Sequence, residues 1–168
     1  MKTNSKSLGG AFERKVASQL SYWMFDDPHV LKREPTSGGS KSVYCGDIFP
    51  MKQITWKTFP LLVECKCGYT NLTPTLLNYS IVETWYLKAL KESKQSNGQD
   101  IILLIQNFKN KRGILLSTNI ELDQIVYKCV LCIKNNGGYE YVFCYDYNEM
   151  LKYRFVDVFG GKIQEMIS

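Results

Sequence analysis

The sequence predicts an α/β fold, in which helices flank a mixed central sheet and extra strands follow at the C-terminal end. Three observations predict it. Apolar residues recur at helical spacing from Leu8 to Phe25. Two nearly uninterrupted apolar runs, 61–67 and 101–105, have the length of buried strands. A second helical pattern runs from Ser80 to the turn at Gly98 between these two runs, so we expect a crossover that joins parallel strands.

The remaining segments complete the order αβββαβ. Residues 30–35 and 42–45 are β-prone and precede the first apolar run. After the second run, alternating patterns predict further strands over 113–117, 127–134 and 139–145. We therefore expect one domain over 1–168, with a core at 9–106 and a β-rich extension at 107–168.

Composition supports one folded domain. The chain has 168 residues, of which 45% are hydrophobic, enough for a sizeable core. Residues 1–8 are polar and are expected to be disordered. They lack the apolar run of a signal peptide, and no stretch has the length of a membrane span, so we expect a cytoplasmic protein with no membrane partner.

The run 61–67 carries two charges that a buried strand does not need. Side chains alternate between the two faces of a strand, so Glu64 and Lys66 share one face, while Val63 and Cys65 lie on the other. Burying a charge costs several kcal/mol unless it is paired or binds a metal. The pair therefore indicates a salt bridge or a functional site.

Asp47 offers a partner for this pair. It follows the segment 42–45, which we expect to form a hairpin with the Glu64 strand and so bring the two carboxylates together. Two carboxylates and the backbone carbonyl of Cys65 form an all-oxygen site of the kind that Mg²⁺ or Mn²⁺ prefers. Lys66, on the same face as Glu64, can position or help deprotonate an attacking water. The residues outline a site for phosphodiester hydrolysis.

These residues resemble the Asp…Glu-x-Lys core of the PD-(D/E)XK nuclease superfamily. Sixteen residues separate Asp47 from the tripeptide 64–66. Upstream, Glu13 near the start of a helix and Arg33 before the loop 37–40 are arranged as in archaeal-type Holliday-junction resolvases. Gly46 stands where the superfamily name has proline, a position that concerns backbone shape rather than chemistry. The resemblance covers residues 9–67.

The resemblance implies a restriction-endonuclease-like core and Mg²⁺-dependent hydrolysis of DNA by a homodimer that uses no nucleotide cofactor. The likeness to the archaeal-type resolvases implies that this DNA is branched. It assigns catalytic roles to Glu13, Asp47, Glu64 and Lys66. Glu13 would complete the metal shell or hold a water on the metal. It is equally well explained as a solvated carboxylate near a helix N-terminus.

Charge is consistent with a DNA partner. The formal net charge is +5, and residues 1–70 hold ten Lys and Arg against six Asp and Glu. Within this half, the loop 36–41 offers hydroxyls, backbone N–H groups and a cation, which suit phosphate contacts. Arg33, Ser37 and Lys41 are the candidate DNA-binding residues. An ordinary solvated surface with a hairpin loop would look similar.

Three alternatives remain open from the sequence. The chain can be a restriction-type or repair-type nuclease that acts on linear duplex DNA. It can be a non-catalytic DNA-binding or assembly protein, in which Glu64 and Lys66 form only an ion pair. The six cysteines allow a zinc site made of thiolates alone, although small buried hydrophobic side chains explain them better. A compact nuclease of this kind would suit a phage or a mobile element.

Overall fold

The structure, a computed structural model, describes residues 5–34, 45–51, 59–69, 79–96, 98–108, 113–135 and 137–159. In chain order the elements are α1 (Ser5–Phe25), β1 (Leu31–Arg33), β2 (Ile48–Pro50), β3 (Leu61–Tyr69), α2 (Tyr79–Gln95), β4 (Ile101–Phe108), β5 (Ile114–Thr118), β6 (Cys129–Asn135), β7 (Gly138–Asp146), α3 (Tyr147–Met150) and α4 (Phe155–Phe159).

The described strands form a seven-stranded mixed sheet in the order β1-β2-β3-β4-β5-β7-β6. Strands β3 and β4 are parallel and are joined through α2, as the sequence predicts. The other neighbouring strands pair antiparallel. The order αβββαβ and the mixed α/β fold class are therefore confirmed, and the C-terminal strands extend the same sheet through β5.

Both faces of β3 and β4 are covered, which explains their uninterrupted apolar runs. On one face, Val16 and Leu20 of α1 pack in one cluster with Val63 of β3. On the other face, Tyr86 of α2 belongs to a second cluster with Leu62. We call these the α1 face and the α2 face of the sheet. Since Val63 lies on the α1 face, alternation places Glu64 and Lys66 on the α2 face.

The hairpin predicted before Asp47 requires a correction. The strand that pairs antiparallel with β3 is β2, which follows Asp47 rather than preceding it, and its register places Ile48 opposite Val63. Gly46 has a φ of +92°, which interrupts extended geometry just before Asp47. Of the predicted segment 42–45, only Cys45 lies within the described residues, and it is not in a strand.

The N-terminal boundary also differs from its prediction. Helix α1 begins at Ser5, three residues before the start that the sequence pattern predicts at Leu8. Residues 1–4 lie outside the described part of the chain.

The C-terminal elements dock on the end of α1. The Trp23 ring centroid lies 5.1 Å from that of Phe155 and 5.8 Å from that of Phe159. The Trp23 indole N–H donates a hydrogen bond of 2.6 Å to the Tyr153 carbonyl. Within the ranges described, no helix combines the length and the apolar character needed to cross a membrane.

Candidate active site

Glu64 lies in the middle of β3 and is only 5% exposed. The Lys66 ammonium contacts Glu64 Oε1 from the same strand. A second cation reaches the same oxygen from α2, where Lys88 Nζ lies 3.7 Å away. A buried carboxylate is costly unless it is compensated, and here two ammonium groups compensate it. The α2 face therefore carries a small charged cluster beside its apolar cluster.

Asp47 is fixed against the β2 side of β3 by both its backbone and its side chain. Its N–H donates to the Val63 carbonyl at 2.7 Å. Its Oδ2 accepts a hydrogen bond of 2.7 Å from the Cys65 N–H, two residues further along β3. The Asp47 side chain thus adds one more hydrogen bond to β3, beyond the point where β2 pairs with that strand. One carboxylate oxygen is held in place, and the carboxylate lies along the strand that carries Glu64.

Gly46 permits this close approach. A Cβ atom at this position would lie 2.7 Å from the Val63 carbonyl oxygen, which is shorter than real contacts allow. Its φ of +92° is also outside the range of proline, whose ring holds φ near −65°. The glycine that replaces the superfamily's proline therefore belongs to a different backbone shape, and this shape still delivers Asp47 to β3.

The two carboxylates influence each other. The pKa of Asp47 is raised from 3.8 to about 6, first by burial and then by the negative charge of Glu64. The Cys65 N–H and the Lys66 charge oppose this shift, and Glu13 adds a small upward contribution. Carboxylates destabilised in this way are typical of functional sites, since a bound cation relieves the repulsion.

Glu13 and Arg33 form a separate pair on the α1 side. Arg33 Nε donates to Glu13 Oε2 at 2.5 Å, and the two side chains are 33% and 20% exposed. Gly10 makes room for the guanidinium, because a Cβ there would lie 3.1 Å from Arg33 Nη1. The structure thus joins a predicted catalytic residue to a predicted DNA-binding residue. Glu13 affects Asp47 through its charge.

Comparison with protein families matches residues 4–152 to the family described as "Phage putative PDDEXK endonuclease". The chain belongs to this family. The resemblance to the PD-(D/E)XK superfamily is therefore confirmed, and the mixed sheet flanked by helices is the restriction-endonuclease-like fold that it implies. The comparisons with curated proteins and with solved structures gave no match.

Two predicted DNA-binding residues of this PD-(D/E)XK family member, Ser37 and Lys41, lie in residues 35–44, outside the described part of the chain. In the described part, no group of three or more His, Cys, Asp or Glu side chains is arranged to hold a metal ion. All six cysteines are free thiols. Cys65 is buried on the α1 face among apolar side chains, and burial raises the pKa of its thiol.

Two residues of this site were not singled out by sequence reasoning. In the sequence, Lys88 is only one of several lysines in α2, yet its ammonium reaches Glu64. Gln106 follows the apolar run of β4 and lies in register with Lys66 on β3. From the sequence, Gln106 is recognisable only as an amide residue at the end of an apolar strand. It is fully buried.

A cavity of about 890 Å³ lies elsewhere, between the C-terminal half of α1 and residues 151–156. None of the predicted site residues lines it. Asp47, Glu64 and Lys66 therefore lie away from this cavity, at the edge and on the α2 face of β3.

Proposed function

We propose that the protein is a divalent-metal-dependent endodeoxyribonuclease that uses Mg²⁺, with Mn²⁺ as a substitute, and acts on branched DNA as a resolvase-like enzyme. The observation that carries the proposal is the placement of Asp47 at the edge of β3, hydrogen-bonded to the residue between Glu64 and Lys66. This is the Asp…Glu-x-Lys constellation of the family. We further propose that residues 1–168 form a single nuclease domain.

The donor set fits a hard cation. Asp47 and Glu64 offer carboxylate oxygens, and the Cys65 carbonyl offers a third oxygen. The N–H and C=O of one strand residue point to the same edge, so the Cys65 carbonyl leaves β3 on the side where its N–H binds Asp47. Oxygen-only donors suit Mg²⁺ and Mn²⁺ better than softer metals. When bound, the cation would neutralise charge on the scissile phosphate and favour ionisation of the attacking water.

The protein's own groups divide the remaining tasks. Lys66 orients the attacking water and places positive charge beside the phosphate. Glu13 supports the site through its charge and holds Arg33 in place. Arg33, with Ser37 and Lys41, orients the DNA strand through its phosphates. Lys88, whose side chain is 61% exposed, adds a cation that substrate can reach.

The test compares substrates and metals directly. Labelled four-way junction, matching linear duplex and single strand are each incubated with Mg²⁺ and with EDTA. We expect symmetric nicking of the junction that requires Mg²⁺. Equal cutting of linear duplex would retain the nuclease and replace the branched-DNA assignment with a restriction-type or repair-type one.

Two substitutions test the site. Asp47→Asn and Lys66→Ala should each lower the cleavage rate by about 10²-fold or more while DNA affinity stays within a few-fold of wild type. Lys152→Met is the matched control, since Lys152 is an exposed lysine paired with Glu149 on a C-terminal turn. Cleavage by either site variant at the wild-type rate would show that the site is assigned wrongly.

A homodimer is the proposed assembly, because a two-fold branched substrate presents two strands for symmetric cutting. Light scattering of the purified protein, alone and with junction DNA, measures this. A monomer in both samples, together with symmetric nicking, would contradict it.

One observation favours a second function of another class. The cluster of Glu64 with Lys66 and Lys88 is electrostatically compensated without any cation, as a purely structural ion pair would be. A non-catalytic DNA-binding or assembly protein would bind junction DNA tightly in EDTA and cut nothing in Mg²⁺ or Mn²⁺. That result would replace the nuclease assignment.

A further inference from the structure

Gln106 is a buried amide with unused hydrogen-bonding groups. Its exposed fraction is 0%. Neither Oε1 nor Nε2 has a hydrogen-bond partner among the residues that the structure describes. Burying an amide without partners costs folding free energy, so most buried amides are paired. An amide left in this state indicates a partner that belongs to another state of the site.

The register of the sheet identifies that partner. Gln106 on β4 is in register with Lys66 on β3 in the parallel pair. Side chains at matched positions of neighbouring parallel strands lie on the same face, about 4.8 Å apart. Leu104, two residues before Gln106, lies in the apolar cluster of the α2 face. Gln106 and Lys66 are therefore neighbours on that face.

In the structure the Lys66 ammonium contacts Glu64 Oε1 instead. A cation bound by Glu64 would compete with Lys66 for the Glu64 carboxylate. The ammonium, whose side chain is only 18% exposed, then needs another acceptor. Gln106 Oε1 lies on the neighbouring strand and on the same face, and it has no donor within the part of the chain that the structure describes.

We propose that Gln106 is a positioning residue for Lys66: its Oε1 accepts a hydrogen bond from the ammonium when Glu64 is engaged elsewhere, and so keeps Lys66 aimed at the reacting phosphate. The catalytic consequence rests on the proposed nuclease function. The proposed contact between Gln106 and Lys66 does not depend on that function.

The contact is tested by thermal unfolding in EDTA, without DNA or metal. Gln106→Met is made in the wild-type background and in a Glu64→Leu background, where Lys66 has lost its carboxylate. In wild type, removal of the unpaired amide should raise Tm by about 3 °C. In the Glu64→Leu background the same change removes the only partner proposed for Lys66, and Tm should fall by about 3 °C.

The reversal of sign is the decisive result, because a merely structural glutamine would respond alike in both backgrounds. Gln99→Met, which alters a buried glutamine hydrogen-bonded at the other end of β4, is the matched control and should lower Tm equally in both. Should Glu64→Leu fail to fold, Glu64→Gln replaces it as the milder background, in which a smaller fall is expected. An equal effect of Gln106→Met in both backgrounds would overturn the proposal.

A second measurement addresses catalysis. At saturating junction DNA with Mg²⁺, Gln106→Met should lower the single-turnover rate about tenfold, with DNA affinity unchanged, because the lysine is misplaced only in the reacting complex. A wild-type rate would overturn the catalytic role. If the wild-type protein cuts no DNA while the sign of the Tm shift still reverses, the nuclease function fails and the contact stands. If it cuts and the sign does not reverse, the function stands and the contact fails.

Discussion

Two glutamines at opposite ends of β4 are both fully buried, yet their amide groups differ in hydrogen bonding. Gln99, just before the strand, accepts a hydrogen bond from the Cys45 N–H at 2.6 Å and donates to the Cys45 carbonyl at 3.1 Å and the Leu61 carbonyl at 2.8 Å. Gln106, near the other end, has no hydrogen-bond partner for its amide within the described ranges.

Gln99 thus lies in a fully hydrogen-bonded part of the sheet, whereas Gln106 lies beside the proposed site. We call Gln99 with Cys45 and Leu61 the anchor, because these bonds tie the chain just before Asp47 to the start of β3. We call Asp47, Glu64, Lys66 and Gln106 the site. The anchor satisfies its polar groups in the structure as it stands. The site contains a carboxyl group with a raised pKa and an amide without a hydrogen-bond partner among the described residues, as expected if the proposed site binds a cation and a substrate.

The largest expected change in stability comes from breaking the ion pair between Lys66 and Glu64 in the site. Lys66→Met leaves Glu64 buried with Lys88 as its remaining cation, and should lower the free energy of unfolding of the metal-free protein by about 4 kcal/mol. Urea unfolding at neutral pH measures it. The double variant Glu64→Gln/Lys66→Met should recover most of the loss. A cost below about 1 kcal/mol would mean that solvent or Lys88 already compensates Glu64.

A second prediction uses pH to compare the two regions. The pKa of Asp47 is about 6 in the folded protein against an ordinary value of 3.8, so folding favours its protonated form. Its contribution to stability is therefore complete below about pH 3.8 and is lost as pH rises through about 6. This difference in pKa corresponds to roughly 3 kcal/mol of folding free energy.

The measurement is urea unfolding in EDTA from pH 4 to pH 7, for wild type and Asp47→Asn. The difference between the two should grow with pH in favour of the variant. The anchor contains no carboxylate, so Gln99→Met should shift the wild-type curve without changing its slope. A parallel course for wild type and Asp47→Asn would show that Asp47 is not destabilised by its surroundings.

The third prediction breaks the anchor. Gln99→Met removes three hydrogen bonds and leaves backbone groups of Cys45 and Leu61 unpaired, so stability should fall by about 2 to 3 kcal/mol. Ser93→Ala is the graded control, because Ser93 Oγ donates one bond of 2.7 Å to the Gln99 carbonyl and its loss should cost about 1 kcal/mol. If Gln99→Met lowers stability no more than Ser93→Ala does, the side-chain hydrogen bonds of Gln99 do not hold the chain at Cys45 against β3.

The sequence alone predicts what depends on local pattern. Alternation along 61–67 is sufficient to place Glu64 and Lys66 on one face and Val63 on the other, and the structure agrees. The crossover between β3 and β4 follows from the order strand, helix, strand. Those features depend on neighbours along the chain.

What the sequence does not predict depends on contacts between distant segments. The predicted pairing of the segment before Asp47 with β3 is replaced by β2, which follows Asp47, because Gly46 approaches the Val63 carbonyl and turns the backbone there, a tertiary constraint. Lys88 reaches Glu64 only because α2 crosses β3, and no spacing within the helix shows this. Gln99 and Gln106 are equivalent in sequence terms. Their opposite roles emerge only from what lies across the sheet.

The smallest expected effect on stability concerns Lys88, which lies between the buried site and solvent. Its Nζ is 3.7 Å from Glu64 Oε1 and 3.4 Å from Glu92 Oε1, and these charges raise its pKa, with Glu64 the main cause. Because the side chain is 61% exposed, Lys88→Met should change the free energy of unfolding by only about 0.5 kcal/mol.

Its effect on DNA binding should be clearer than its effect on folding. A lysine that neutralises one phosphate contributes about one unit to the slope of log affinity against log salt, so Lys88→Met should reduce that slope by about one. Lys152→Met, which removes an equally accessible charge paired with Glu149, should leave it unchanged. An unchanged slope in Lys88→Met, with stability lowered by more than about 2 kcal/mol, would assign Lys88 to the internal compensation of Glu64 instead. Lys88 would then belong with the groups that are satisfied in the folded protein, as Gln99 is, and not with those that await a ligand.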